Sequence, residues 1–227
     1  MKRSTFVIAL MCLGAVSALA QTTSGRVRVL HASPDAPAVD VLVDGAKVIE
    51  GLPFKEYTEY LALPAGSHEI RVNVSGTSTT VLNATPTVEA GRDYTAIAMG
   101  FAGGKQPALS LALLVDDNTL PVGNQIKVRV VHGAPSAPAV DVYVTTPFEA
   151  LDGKTPVLSG VPFKAASGYL AVPPSLYQAR VAVAGTKTIA IDSHRLVTWA
   201  GIIRTIVAVD NKDGGAPFDF VILPDRN

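Results

Sequence analysis

The chain has 227 residues, with 19 basic and 19 acidic side chains, one cysteine and 48% hydrophobic residues. No basic stripe is present, so nucleic acid and anionic lipid surfaces are poor partners. Charged residues make up 17%, against roughly 25% in ordinary globular proteins. Such a composition points either to sandwich domains that bury two faces or to a surface made for contact with other proteins or a wall.

The first twenty residues read as an export signal. Lys2 and Arg3 give the positive end, Phe6 to Val16 a short apolar core, and Ala18-Leu19-Ala20 the small-x-small cleavage pattern. The apolar run is too short for a membrane span, which needs about 20 residues. Cys12 is preceded by bulky Met11, and Ala9 stands where a lipoprotein signal usually has leucine, so no lipid anchor is expected. Cleavage removes the only cysteine and leaves 17 basic against 19 acidic residues. The mature chain is then expected to have neither a disulfide nor a thiolate ligand.

Beyond the signal, the period is two. Val27, Val29 and His31 share one parity, and Arg28 and Leu30 share the other. Val39, Val41 and Val43 alternate with Asp40, Leu42 and Asp44, and Ile70, Val72 and Val74 with Arg71 and Asn73. Alternation of this kind marks half-buried strands. Asp44-Gly45 signals a hairpin turn, and further strands are expected near 79–83, 94–99 and 109–115.

The pattern is then repeated. Residues 26–43 read RVRVLHASPDAPAVDVLV and residues 127–144 read KVRVVHGAPSAPAVDVYV, identical at twelve of eighteen positions. GLPFK at 51–55 returns as GVPFK at 160–164, and YLALP at 60–64 as YLAVP at 169–173. The offset grows from 101 to 109, so eight residues are inserted within 145–159, a loop where divergent function is expected. Repetition at this spacing predicts an all-β chain of two tandem immunoglobulin-like β-sandwich domains, each of seven or eight strands, after a cleaved signal peptide. The boundaries are signal peptide 1–20, first sandwich 21–116, linker 117–125 and second sandwich 126–227.

The phrase HASPDAPAVDVLVDG, with GLPFK and YLALPAG, resembles domain-of-unknown-function family 4397. The resemblance implies exported bacterial β-sandwich domains, often in tandem, and assigns no activity. The second copy departs from the phrase: Ser136 stands for Asp35 and Thr145 for Asp44, so a role for either aspartate cannot hold in both copies.

Four histidines carry the candidate chemistry. His31 and His132 are repeat equivalents at the end of a strand, where an imidazole can brace the Pro-rich loop through its carbonyls. Neutral imidazole also suits copper and zinc. His31 or His132, with Asp35, Asp40 or Asp141 nearby, and with His68 and His194, are therefore the candidate metal ligands, although no His-x-His or HExxH pair exists. Asp40 and Asp141 are expected to form cross-strand pairs with Arg28 and Arg129 on an outward row. Arg71 and Arg180 read as solvated. There is no GxSxG elbow, Walker loop or GxGxxG, so these motifs name no catalytic residue and no organic cofactor is expected.

The sequence thus predicts an extracytoplasmic accessory protein, at the cell envelope, cell surface or periplasm or secreted, that docks on a surface-layer or outer-membrane protein. The alternative is a copper-dependent, superoxide dismutase-like redox enzyme with histidine ligands. A third reading is glycan binding through the 145–159 insertion, with Trp199, the single tryptophan, as stacking platform.

Overall fold

The computed structural model describes residues 23–225; the expected export signal, residues 1–20, lies outside them. The described chain is all-β. The first half forms β1 (Ser24–Ala32), β2 (Val39–Val43), β3 (Ala46–Leu52), β4 (Leu61–Pro64), β5 (Gly66–Ser67), β6 (Ile70–Val74), β7 (Thr80–Ala84), β8 (Thr87–Val88), β9 (Asp93–Met99) and β10 (Ser110–Asp116). The second forms β11 (Ile126–His132), β12 (Val140–Thr145), β13 (Leu158–Val161), β14 (Leu170–Val172), β15 (Leu176–Val183), β16 (Ile189–Asp192), β17 (Leu196–Val197), β18 (Ile203–Val209) and β19 (Asp219–Pro224).

Each half is a two-sheet β-sandwich. In the first, the sheet β10-β9-β1-β4 faces β3-β2-β6-β7; in the second, β14-β11-β18-β19 faces β13-β12-β15-β16. β1 runs parallel to β9, from Arg26 beside Asp93 to Ala32 beside Met99, and β11 runs parallel to β18 in the same way. Asp44 and Gly45 both take positive φ at the β2–β3 hairpin, 50° and 83°. That is the turn whose twist matches the flanking strands.

Alternation decides the layers. Val29 of β1 packs with Val39, Val41 and Val72 inside the first sandwich. Val130 and Ala208 pack with Val140, Val142 and Val181 inside the second. The opposite parity forms another core between the halves. Leu30, Ala32, Ile97 and Met99 meet Val131, Val207, Val209, Val221 and Leu223. The two sandwiches therefore stack, and their inner sheets are buried on both faces.

This corrects the expected exposure of the arginine row. Arg28 and Arg129 are almost fully buried in the seam between the halves. Arg28 donates from Nε to Thr95 Oγ1 at 2.8 Å, from Nη1 to the Pro224 carbonyl at 3.0 Å, and from Nη2 to Asp225. Arg129 mirrors it, donating to Thr205 Oγ1, to the Val115 carbonyl at 2.9 Å and to Asp116. Tyr60 donates to Asp116 and Tyr169 to Asp225, and each ring lies under an arginine, Arg28 and Arg129 respectively, at 4.9 and 4.8 Å. Burial, first of all, pushes both tyrosine hydroxyls well above their usual pKa, so they remain donors. Each half thus supplies the carboxylate that the other half's arginine requires.

Candidate functional site

The shared signature builds turns. His31 ends β1 facing the interior of its own sandwich. The Ser33 amide donates to its Nδ1 at 3.3 Å, and its Nε2 lies 3.0 Å from the Pro37 carbonyl oxygen. That pattern places the proton on Nε2 and braces the Pro-rich loop. His132 repeats the contact to the Pro138 carbonyl at 3.0 Å, while its buried Nδ1 has no hydrogen-bond partner among the described residues. Burial pushes both imidazoles below the usual histidine pKa. Phe54 and Phe163 approach the two rings edge-on at 6.0 and 6.2 Å.

The aspartates close other loops. Asp35 accepts from the Ala102 and Gly103 amides at 2.7 and 2.9 Å. In the second half Asp210 takes over this position and accepts from the Ser136 amide. Asp40 and Asp141 do not meet the arginines expected of them. Asp40 accepts from the Gly51 amide and the Ser75 hydroxyl, both at 2.8 Å, and pairs with Lys47. Lys47, ahead of the turn amides, holds its carboxyl well below the usual range. Asp141 accepts from the Gly160 and Gly185 amides at 2.7 and 2.8 Å. Each carboxylate pins two glycine turns to one strand. Arg180 is likewise buried, not solvated, and donates to Thr145 Oγ1 and the Glu149 carbonyl, anchoring the 145–159 insertion.

His68 and His194 are unlike each other. His68 Nδ1 lies 2.6 Å from Asp44 Oδ2 and Nε2 lies 2.8 Å from the Pro64 carbonyl. Both neighbours are acceptors, so the ring holds both protons. The Asp44 contact, then the carbonyl, raises its pKa. His194 is exposed beside Asp192. The candidate ligands His31, His132, His68, His194 and Asp35 therefore occupy separate settings. Among the described residues no three His, Cys, Asp or Glu side chains stand together as a metal-binding group.

What distinguishes the halves lies between the sheets. An apolar cleft of about 80 Å³ opens in the first sandwich and one of about 390 Å³ in the second. In the first half β8 pairs with β5, and Val88 tucks into the mouth with 2% of its surface exposed. Gly25 allows this: a Cβ there would lie 2.6 Å from Val88 Cγ1 and 2.7 Å from the Glu89 carbonyl oxygen. The repeat equivalent of Gly25 is Ile126, fully buried. Its side chain takes up that space. The equivalent of Val88 is Val197, which lies on β17 paired with β15 and is 70% exposed. Trp199, beside a one-residue insertion relative to the first half, is 61% exposed on the same rim. Tyr94, buried with its hydroxyl accepting from the Glu89 amide, is replaced by Arg204.

Sequence reasoning missed this cleft. The readable signal was the substitution of isoleucine for glycine at one repeat position, together with arginine for tyrosine at another. Within the insertion Leu151 packs on Tyr143 and Ala182, and Phe148 stands exposed under the Arg195 guanidinium at 4.9 Å.

Residues 25–143 match the family described as Domain of unknown function (DUF4397). No curated protein matches the chain. Among solved structures, it is similar to an alpha-glucan-binding streptococcal virulence factor (11% identity, 88% of this chain and 97% of that one, TM-score 0.26). It is also similar to a family 26 carbohydrate-binding module from Eubacterium rectale solved with maltoheptaose (10% identity, 89% and 98%, TM-score 0.26). A leucine-rich repeat protein from Bacteroides thetaiotaomicron follows at 12% identity, 84% and 26% coverage and a TM-score of 0.21. At these scores the overlaps carry no argument about this chain.

Proposed function

The chain belongs to the DUF4397 family, and from that premise we propose that it is an exported, non-catalytic binding protein of the cell envelope whose second half contacts a surface-layer or outer-membrane component. Export is supported by the Lys2-Arg3 end, the apolar run and the Ala18-Leu19-Ala20 pattern. Binding is supported by one observation above all: the mouth of the second sandwich is held open, with Val197 and Trp199 outward, where the first is closed by Val88. The copper-dependent alternative finds no converging donor set among the described residues.

The test is sedimentation of the purified protein with an envelope preparation. Saturable binding is expected, weakened at least several-fold by Val197→Asp or Trp199→Ala. Leu61→Asp, on the exposed rim of the first half, should bind as the parent does. Equal losses from both rims, or no saturable binding, overturn the reading. A glycan contact is a second reading, favoured by the exposure of Trp199 and Phe148, 61% and 72%. Quenching of Trp199 fluorescence by soluble envelope polysaccharide, absent in Phe148→Ala, is its expected signature.

A further inference from the structure

The second cleft has the size of a small-molecule site, for which roughly 300–1,000 Å³ and mostly apolar walls are usual. It runs from the exposed rim residues Val197 and Trp199 to the buried Val142 and Val181. No acidic side chain lines it, and the side chains with polar atoms in its lining are Tyr177, Ser193, Thr198, Trp199 and Arg204. Arg204 shares the inward parity of Ile206. Its Nη1 donates to the adjacent Ile203 carbonyl at 2.8 Å, and it has no carboxylate partner among the described residues. Arg204 is half-buried, so its guanidinium stays within reach of solvent while offering a charged donor to an anion at the wall of the slot. A flat protein surface cannot reach Val142 between two sheets, whereas a slender chain can. A sugar would leave its hydroxyls facing valine and isoleucine.

Resting on the binding role above, we propose that the cleft of the second half takes a free fatty acid, with its chain between the sheets and its carboxylate on Arg204. The first half cannot, because Val88 closes the corresponding mouth and the cleft behind it holds only about 80 Å³.

Trp199 is the sole tryptophan, so its emission reports the rim directly. Titration of the purified protein with laurate below its micelle concentration should give a saturable blue shift. Arg204→Gln should weaken laurate about tenfold, as expected for loss of a charge-assisted contact, and leave dodecanol unchanged. Val142→Phe, which fills the slot, should abolish both while circular dichroism stays β; Ile206→Phe serves if that variant does not fold. An absent or non-saturable shift overturns the proposal. So does an equal loss of laurate and dodecanol in Arg204→Gln. Binding to phosphatidylglycerol vesicles without a response to monomeric laurate overturns it in favour of a membrane-surface contact. A protein that binds laurate but never sediments with envelopes fails the envelope reading alone, and one that sediments without binding laurate fails this one alone.

Discussion

The two halves share a signature, a sheet order for their inner layers and a seam, yet differ at the mouths of their sandwiches. In the first half Gly25 admits Val88 and Tyr94 is buried; in the second Ile126 takes the place of the glycine, Val197 turns outward and Arg204 replaces the tyrosine. Duplication has kept what holds the stack together and changed what closes it. The lesson is that identical positions in the repeat mark structure here, and the unequal ones mark the candidate site.

The strongest test of the shared part is the seam. Arg28→Ala or Arg129→Ala leaves a buried carboxylate unpaired, and each should cost about 3–5 kcal/mol in urea unfolding. The two losses should be similar, and the double variant should fall short of their sum, because Asp116 lies near both arginines, 3.8 Å from Arg28 and bonded to Arg129. Clearly unequal single losses would break the symmetry of the seam, and strictly additive ones would show that Asp116 does not couple the two arginines.

The mouth is tested by moving one side chain across the repeat. Gly25→Ile should cost about 1–3 kcal/mol through overpacking, since its Cβ meets Val88 and two backbone carbonyl oxygens within 3 Å. It should also expose Val88 and raise binding of an apolar dye by the first half. An unchanged melting temperature and dye response would show that glycine is not what seats Val88.

The smallest expected effect concerns His68, whose repeat equivalent is Tyr177, bonded to Pro173 as His68 is to Pro64. His68 has a raised pKa, so its contribution is full below the unfolded value of about 6.5 and is lost as pH rises through its folded value. His31 and His132 have lowered values, so their burial costs stability as pH falls below about 6.5. His68→Gln should therefore remove the alkaline decline and leave stability rising with pH between about 5 and 7. A parent whose pH profile is unchanged by the substitution would show that the Asp44 contact does not charge the ring.

Much of the fold was legible because alternation reports which residues share a face. Val27, Val29 and His31 share one parity, and the structure turns all three into the first sandwich. Alternation does not say what covers the other row. The row of Arg28, Leu30 and Ala32 reads as outward, with Asp40 as the arginine's partner, yet Leu30 and Ala32 meet Val131, Val207 and Leu223 and Arg28 is buried in the seam. The clue was that a leucine and an alanine shared the arginine's parity. His31 as a brace for the loop was readable from its place before two prolines. The open cleft was harder to read: the exchange of Gly25 for Ile126 is visible in the repeat, but that glycine leaves room for Val88 and isoleucine does not is a matter of the volume between side chains, which a sequence does not record.

The crossed arginines have an evolutionary consequence. Neither half can be cut out or shuffled into another gene as a finished module, since excision would strand Arg28 without Asp225 or Arg129 without Asp116. A nick in the 117–125 segment should accordingly leave two fragments clasped together, and a newly acquired relative of either half would have to bring its own counter-ion.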